Sequence, residues 1–423
     1  MMAKELYFNL NILVFTVGYI LITIEHMTKI NKATIALLMA VACWVLQFGN
    51  GIWTHQENMT FLGEHLANIS QIIFFLIGAL AVVEVINAHN GFKVLSDNLK
   101  IKSKKKMFWA VGLITFFLSS ILDNLTTTLV MIAFLQKIIG NRNDRLIIGG
   151  GIVIAANAGG AWTPIGDVTT TMLWIGNQIT TFNIMKEIFL PSLVCFLVSF
   201  FVLSFALKGD LDFKENLEAN ESEPYGVFIF WLGIAALIFV PIFKWLTGLP
   251  PYMGMLFGLS VLWIVTDILH SKYLNREHLR VPQILTKIDL SSALFFLGIL
   301  LCVDALESAG ILSGLAIYLD QTIGNTNIIA IIIGLASAIV DNVPLVAGTM
   351  GMYELSEYPT NSSFWSLIAY CAGTGGSILI FGSAAGVVFM GLEKADFIWY
   401  FKRISLPALL GFFAGAFVYI LLT

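Results

Sequence analysis

Charge is what this sequence has least of. Only 12% of its 423 residues are Asp, Glu, Lys or Arg, about half the share usual in soluble globular domains, while 58% are hydrophobic and mean hydropathy is +0.85. A soluble core cannot absorb that much apolar surface, so the composition excludes a soluble enzyme or binding module and leaves a polytopic membrane protein. The four cysteines (Cys43, Cys195, Cys302, Cys371) fall singly in apolar segments, at no metal-ligand or redox spacing, which excludes a disulfide framework and points to buried small side chains. No HExxH and no Ser–His arrangement is present. The six histidines sit at segment ends or in loops, where solvation is expected. Net charge is −4, which is uninformative here because placement of Lys and Arg matters more than balance. No cofactor and no nucleic-acid partner is expected.

What is present is a series of apolar segments too long and too uniform for barrel strands, and a bilayer requires backbone polar groups to be satisfied within helices. The expected fold is therefore all-α. Spans are expected at about 6–24, 31–49, 69–89, 186–207, 225–245, 251–270, 288–308 and 397–422, with a helix at the interface over 310–322. Four other stretches are interrupted. Residues 107–139 break at Asp123-Asn124 and 327–353 at Asp341-Asn342, which predicts two re-entrant hairpins. Residues 144–177 and about 363–391 carry NAGGAWTPIGDVTTT and GTGGSILIFGSAAG, which predict helices unwound in the middle. The glycine pairs also suit close helix packing.

These landmarks recur at a nearly constant offset. Gly78 and Glu84 match Gly298 and Asp304, Asp123-Asn124 match Asp341-Asn342, and Gly159-Gly160 and Gly166 match Gly375-Gly376 and Gly382. We read residues 1–207 and 225–423 as two repeats joined by a polar linker at 208–224. If the hairpins do not cross, one face collects every Lys and Arg except Lys4, Lys186 and Lys244. By the positive-inside rule that face is cytoplasmic, and the two halves then start on opposite sides, as an inverted repeat requires. Hairpin one would enter from the cytoplasm and hairpin two from outside.

A carboxylate at membrane depth is expensive, roughly 2.5 kcal/mol or more, so acids at the interruptions read as functional. Hard oxygen donors cluster there: Asp123, Asp167 and Asp341; Asn124, Asn157 and Asn342; the hydroxyls of Thr126, Thr127, Thr163, Thr169, Thr170 and Ser383. Such donors suit an alkali cation, with Na+ or Li+ expected at Asp123, Asn124, Asn157, Asp341 and Asn342. No Arg or Lys lies in these clusters to pair with an anionic substrate. A buried acid that binds a proton and a cation in turn is the simplest antiport chemistry. Asp123, Asp341, Glu84, Asp304 and Glu307 are the proton-carrier candidates. Plainer roles stand beside these: Asp123 and Asp341 as caps of freed amides, the threonines bonding back to their own helix, Glu84 and Glu307 reaching to an interface.

SSILDNLTTTLVMIAF from Ser119, ANAGGAWTPIGDVTTTMLW from Ala156 and AIVDNVPLVAGTMGMY from Ala338 resemble the NhaD-type sodium/proton antiporters of the ion transporter superfamily. The similarity runs from about residue 60 through most of the chain and is weakest in the linker. It implies exchange of Na+ or Li+ for H+ in sodium export and pH homeostasis, a homodimer, and a mobile transport region that moves like an elevator. It implies ion-site roles for Asp123, Asn124, Thr126, Asn157, Thr163, Asp167, Asp341 and Asn342. With no evident transit peptide, a bacterial inner membrane is expected. Arsenite permeases and sodium-coupled carboxylate carriers place related polar tips on the same scaffold and are the alternative. An intramembrane hydrolase is more remote, because Pro164 stands where the GxGD motif of aspartyl proteases has Gly; a channel is disfavoured by the two broken elements.

Overall fold

The computed structural model describes residues 2–23, 25–96, 101–212, 223–339 and 341–423. Residues 213–222, most of the polar linker, and Lys100 lie outside them. The described chain is all-α; its β pairing is a single bridge between Ser103 and Asp210. The first half runs through α1 (Met2–Thr23), α2 (Lys32–Gly49), α3 (His55–Ala88), α4 (Lys104–Leu122), α5 (Asn124–Ile138), α6 (Arg142–Gly160), α7 (Val168–Ile175) and α8 (Thr181–Ser204). The second runs through α9 (Gly226–Thr247), α10 (Pro251–His270), α11 (Leu290–Ser308), α12 (Ile311–Ile323), α13 (Thr326–Ala336), α14 (Asn342–Met352), α15 (Ser363–Gly375), α16 (Ala384–Glu393) and α17 (Leu406–Leu422). Among the described residues, eight helices are long and apolar enough to cross a membrane, so the protein is a multi-pass membrane protein.

One helix is much longer than its apolar run. The span expected at 69–89 begins instead at His55, because Thr54 and Glu57 form a capping box: Thr54 Oγ1 accepts from Glu57 N, and Glu57 Oε2 accepts from Thr54 N. At 34 residues α3 is about 51 Å long, well beyond a hydrocarbon core of about 30 Å. Its polar first turns place His65 inside a helix, where a loop or segment end was expected.

The interruptions take two forms. α4 has the length of a span, yet the chain comes back. Lys104 N donates to Gly209 O, Leu211 N to Lys102 O and Gly140 N to Asp212 O, so the start of α4 and the exit of α5 meet on the same short segment. The Lys104–Asp144 pair, 2.8 Å, brings the start of α6 to the same place. α4 and α5 are thus two arms of a hairpin with its tip at Asp123. In the second half, α12 and α13 bend by 118°. α14 returns from the tip at Asp341, and Tyr353, just beyond it, bonds Asp320 of α12 at 3.3 Å.

Between α6 and α7, and between α15 and α16, the backbone is unwound. The first unwound stretch begins against α15, a Cβ at Gly373 falling 3.0 Å from that of Ala161. The helix leading into each unwound stretch is clamped to a hairpin by the same pair of contacts. Ser119 Oγ donates to Ala156 O at 2.6 Å and Ser337 Oγ to Ala372 O at 2.9 Å. A Cβ on Gly159 would overlap Phe116 O, and one on Gly375 would overlap Gly334 O. Glycine is required at both positions because backbone meets backbone there.

Two hydrophobic cores result. The larger is built around both hairpins and both broken helices, with Phe116, Phe196, Phe200, Trp365 and Tyr370 fully buried in it. The smaller joins α2, α3 and α11 through Ala36, Met39, Ile72, Phe295 and Ile299, and Val343 and Ala347 of α14 pack onto it. The cysteines are all buried, with Cys43 and Cys302 thiols 3.3 Å apart. Two histidines depart from the expected solvation: His89 and His270 are buried, with their Nε2 atoms 3.0 Å apart, because α3 and α10 pack together at those ends.

Candidate functional site

Asp167 is the centre on which the interrupted elements converge. It caps α7, its Oδ1 accepting from Thr169 N, and it is 1% exposed. The other oxygen faces inward. Oδ2 accepts from Asn124 Nδ2 at 2.9 Å and from Asn342 Nδ2 at 3.3 Å, one carboxamide from each hairpin tip. Asn124 also donates to Asn157 Oδ1 at 3.0 Å, and Asn157 Nδ2 donates to Ser377 Oγ at 2.9 Å and Ser383 Oγ at 2.8 Å. Both hairpins and both unwound stretches therefore meet through five polar residues around one carboxylate. All are buried.

The tip acids flank this centre without joining it. Asp123 ends α4 and begins α5 with φ +93°, a backbone region that costs a non-glycine residue about 1–3 kcal/mol. Its carboxylate accepts from Thr126 N at 2.8 Å and from Thr126 Oγ1 at 3.0 Å. It opens on a cavity of about 80 Å³ lined by Phe75, Leu237, Met255 and Phe296, with Asp289 and Ser292 also on its wall. Asp341 caps α14 through Val343 N at 3.3 Å, and its Oδ2 lies 3.6 Å from Lys32 Nζ. The polar clusters at the interruptions contain no Lys or Arg, but the tertiary fold delivers one from α2.

The remaining candidates separate into three groups. Thr163 Oγ1 donates to Ser120 O at 2.6 Å, which ties the first unwound stretch to the end of α4. Thr127 is buried with its hydroxyl unpartnered. Glu84 accepts from Asn87 one turn from the end of α3, while Asp304 and Glu307 gather with His65 in a separate cavity. Sequence reasoning missed Ser377 and Lys32. Ser377 was detectable as the polar residue beside the Gly375-Gly376 pair; nothing local marks Lys32.

Two hairpin tips and two unwound stretches thus surround one buried acid. Residues 19–363 match the family described as Citrate transporter. The chain is 52% identical over 411 residues to sodium/proton antiporter 1 of Arabidopsis thaliana, covering 96% of this chain and 71% of that one. It is 50% identical over 414 residues to sodium/proton antiporter 2 of the same plant, covering 96% and 98%. To the Na(+)/H(+) antiporter NhaD of Vibrio parahaemolyticus it is 29% identical over 401 residues, covering 88% and 94%.

The chain belongs to the NhaD-type sodium/proton antiporter family. For a member of that family the arrangement has a direct chemical reading: Asp167 is the one acid among the three that both hairpins address, and Asn157 is the residue through which the two unwound stretches are joined. In this NhaD-type chain the tip acids are set on either side, one beside an apolar cavity and the other beside an ammonium.

Proposed function

We propose that this protein exchanges Na+ or Li+ for H+ across its membrane, with Asp167 as the carboxylate that the two ions share in turn. The observation that carries this is the convergence of Asn124 and Asn342 on Asp167 Oδ2. Two amide N–H groups there stabilise the buried carboxylate at the position a cation would take. Rotating either carboxamide presents its oxygen instead, and Asn157, Ser377 and Ser383 supply further oxygens within the same cluster. Protonated or cation-loaded, the cluster is neutral and can move; bare, it is held by the cost of burying charge.

The two cores, with α3 contributing to both, support reading transport as an elevator-like displacement. The hairpins and broken helices move as one body against α2, α3 and α11, and the contacts that recur at Ser119 and Ser337 support reading the halves as inverted repeats. On this reading the chain lies in the cytoplasmic membrane with the lysine-rich loops inside, and forms a homodimer, as the family resemblance implies. An anionic cargo needs an unpaired cation in its path. Lys32, the one cation at the tips among the described residues, already faces Asp341. Relatives named as antiporters support a transporter and not an enzyme.

The test is acridine-orange dequenching in inverted vesicles from a host lacking its own antiporters, adding Na+, Li+, K+, citrate and arsenite in turn. Dequenching by Na+ or Li+, lost in Asp167→Asn, is the expected result. Silence to every cation with intact protein in the membrane, or a response to citrate alone, overturns the reading. Cysteines placed at Lys105 and Asn325 should label from opposite sides, and labelling from one side refutes the inverted topology.

A further inference from the structure

Away from Asp167, a cavity of about 470 Å³ opens between α3, α7, α11 and α14, at the ends of α3 and α11 remote from Lys93 and Lys287. His65 of α3 and Asp304 and Glu307 of α11 line it, and one ligand atom from each lies within 4.8 Å of the others. Asp304 and Glu307 share a helix face because they are three residues apart. His65 Nδ1 stands 3.3 Å from Asp304 Oδ2. That is the donor–donor edge of a tetrahedron with bonds of about 2.0–2.1 Å, the zinc–nitrogen and zinc–carboxylate length. The far ring nitrogen is already engaged: His65 Nε2 lies 3.3 Å from Ser308 Oγ, which turns Nδ1 into the cavity.

The charge balance also fits a dication. Two carboxylates and a neutral imidazole neutralise a 2+ ion, and an open cavity leaves room for water in the remaining position. Lys244 lines the same cavity, but its ammonium is held elsewhere, on Trp174 O at 3.0 Å and over the Trp174 ring at 4.6 Å. An alkali cation would prefer an all-oxygen set; the imidazole selects the transition series.

We propose that His65, Asp304 and Glu307 bind a transition divalent cation of the zinc class, and that its occupancy slows exchange. The second clause rests on the antiport reading; the first does not. The slowing has a structural cause. A Cβ at Gly351, near the end of α14, would lie 2.9 Å from Glu307 Oε2, so this carboxylate is packed against the second hairpin. A metal that holds Glu307 to His65 fixes it at the boundary across which the hairpin moves.

The experiment uses full-length protein purified in detergent and stripped with EDTA, titrated with Co2+ as a spectroscopic probe. One Co2+ per chain, with an intense visible ligand-field band that Zn2+ displaces, is expected. His65→Gln and Asp304→Asn should each weaken binding at least tenfold, and Ser308→Ala severalfold by releasing the ring, all with wild-type gel-filtration profiles. Absence of the band, or unchanged affinity in His65→Gln, overturns the site. In vesicles, micromolar Zn2+ should slow Na+-driven dequenching in wild type, while His65→Gln in EDTA exchanges normally and resists Zn2+. Binding without inhibition keeps the site and refutes the blocking role. Absence of all exchange refutes the antiport reading while the Co2+ titration still decides the site.

Discussion

Lys32 Nζ stands 3.6 Å from Asp341 Oδ2 and 4.3 Å from the centre of the Phe295 ring, so the first residue of α2 places an ammonium on the tip of a hairpin more than three hundred residues away. The pair crosses from the smaller core to the larger. An ammonium there competes with any alkali cation for the same carboxylate. Replacing Lys32 with Gln should lower the apparent KM for Na+ by about twofold to tenfold, the range that a partly exposed to partly buried ion pair covers, at little change in maximal rate. The Na+ dependence of dequenching measures it, and an unchanged KM would show that the pair is only structural.

The three acids at the interruptions should divide by role. Asp167→Asn removes the one carboxylate that both tips address, and exchange should fall below detection with normal membrane insertion. Asp341→Asn retains the cap on Val343 N, so it should fold and also lose exchange. If Asp341→Asn exchanges normally while Asp167→Asn is dead, the tip acid serves Lys32 alone.

Asp123 separates stability from transport. At φ +93° glycine relieves about 1–3 kcal/mol of backbone strain, while losing the Thr126 cap costs about 0.5–2 kcal/mol. Asp123→Gly should therefore keep Tm within a few degrees of wild type and abolish exchange. Asp123→Ala retains the strain without the cap and should melt lower than either. A glycine variant that transports would leave Asp123 a structural cap and the exchange site with Asp167 alone.

Glycine at the crossing is required by space. Gly159→Ala and Gly375→Ala set a methyl group on a backbone carbonyl of the neighbouring helix and should cost at least 1–3 kcal/mol, read as loss of the monodisperse peak in size-exclusion chromatography. Gly391→Ala, which meets nothing within 4 Å, is the control and should be neutral or slightly stabilising.

Burial pushes His89, just beyond the end of α3, down from the ordinary imidazole value of 6.5 to about 4. In that window the unfolded chain takes a proton that the folded chain refuses. Stability should accordingly fall as pH drops from about 6.5 towards 4, by up to about 2 kcal/mol at pH 5. Melting curves of wild type and His89→Gln at pH 7.5 and 5.0 test this. The variant should lose less on acidification, and parallel losses would assign the acid sensitivity to other groups.

What the sequence by itself determined follows from the bilayer. Low charge and long apolar runs dictated an all-α multi-pass protein, because lipid offers backbone groups no alternative partner. Acids, amides and glycines set in such runs marked the interruptions at Asp123, Asp167 and Asp341, since their burial is too costly to be incidental. Local sequence could not rank those acids. That Asp167 receives both tip carboxamides, that Lys32 faces Asp341, and that His65 joins Asp304 and Glu307 were decided by helix packing between residues tens to hundreds of positions apart. The same packing buried His89 against His270, both of which sit at segment ends where the sequence pattern predicts solvent. Hydropathy reads each helix against lipid; only the tertiary structure decides which polar groups each helix turns toward another.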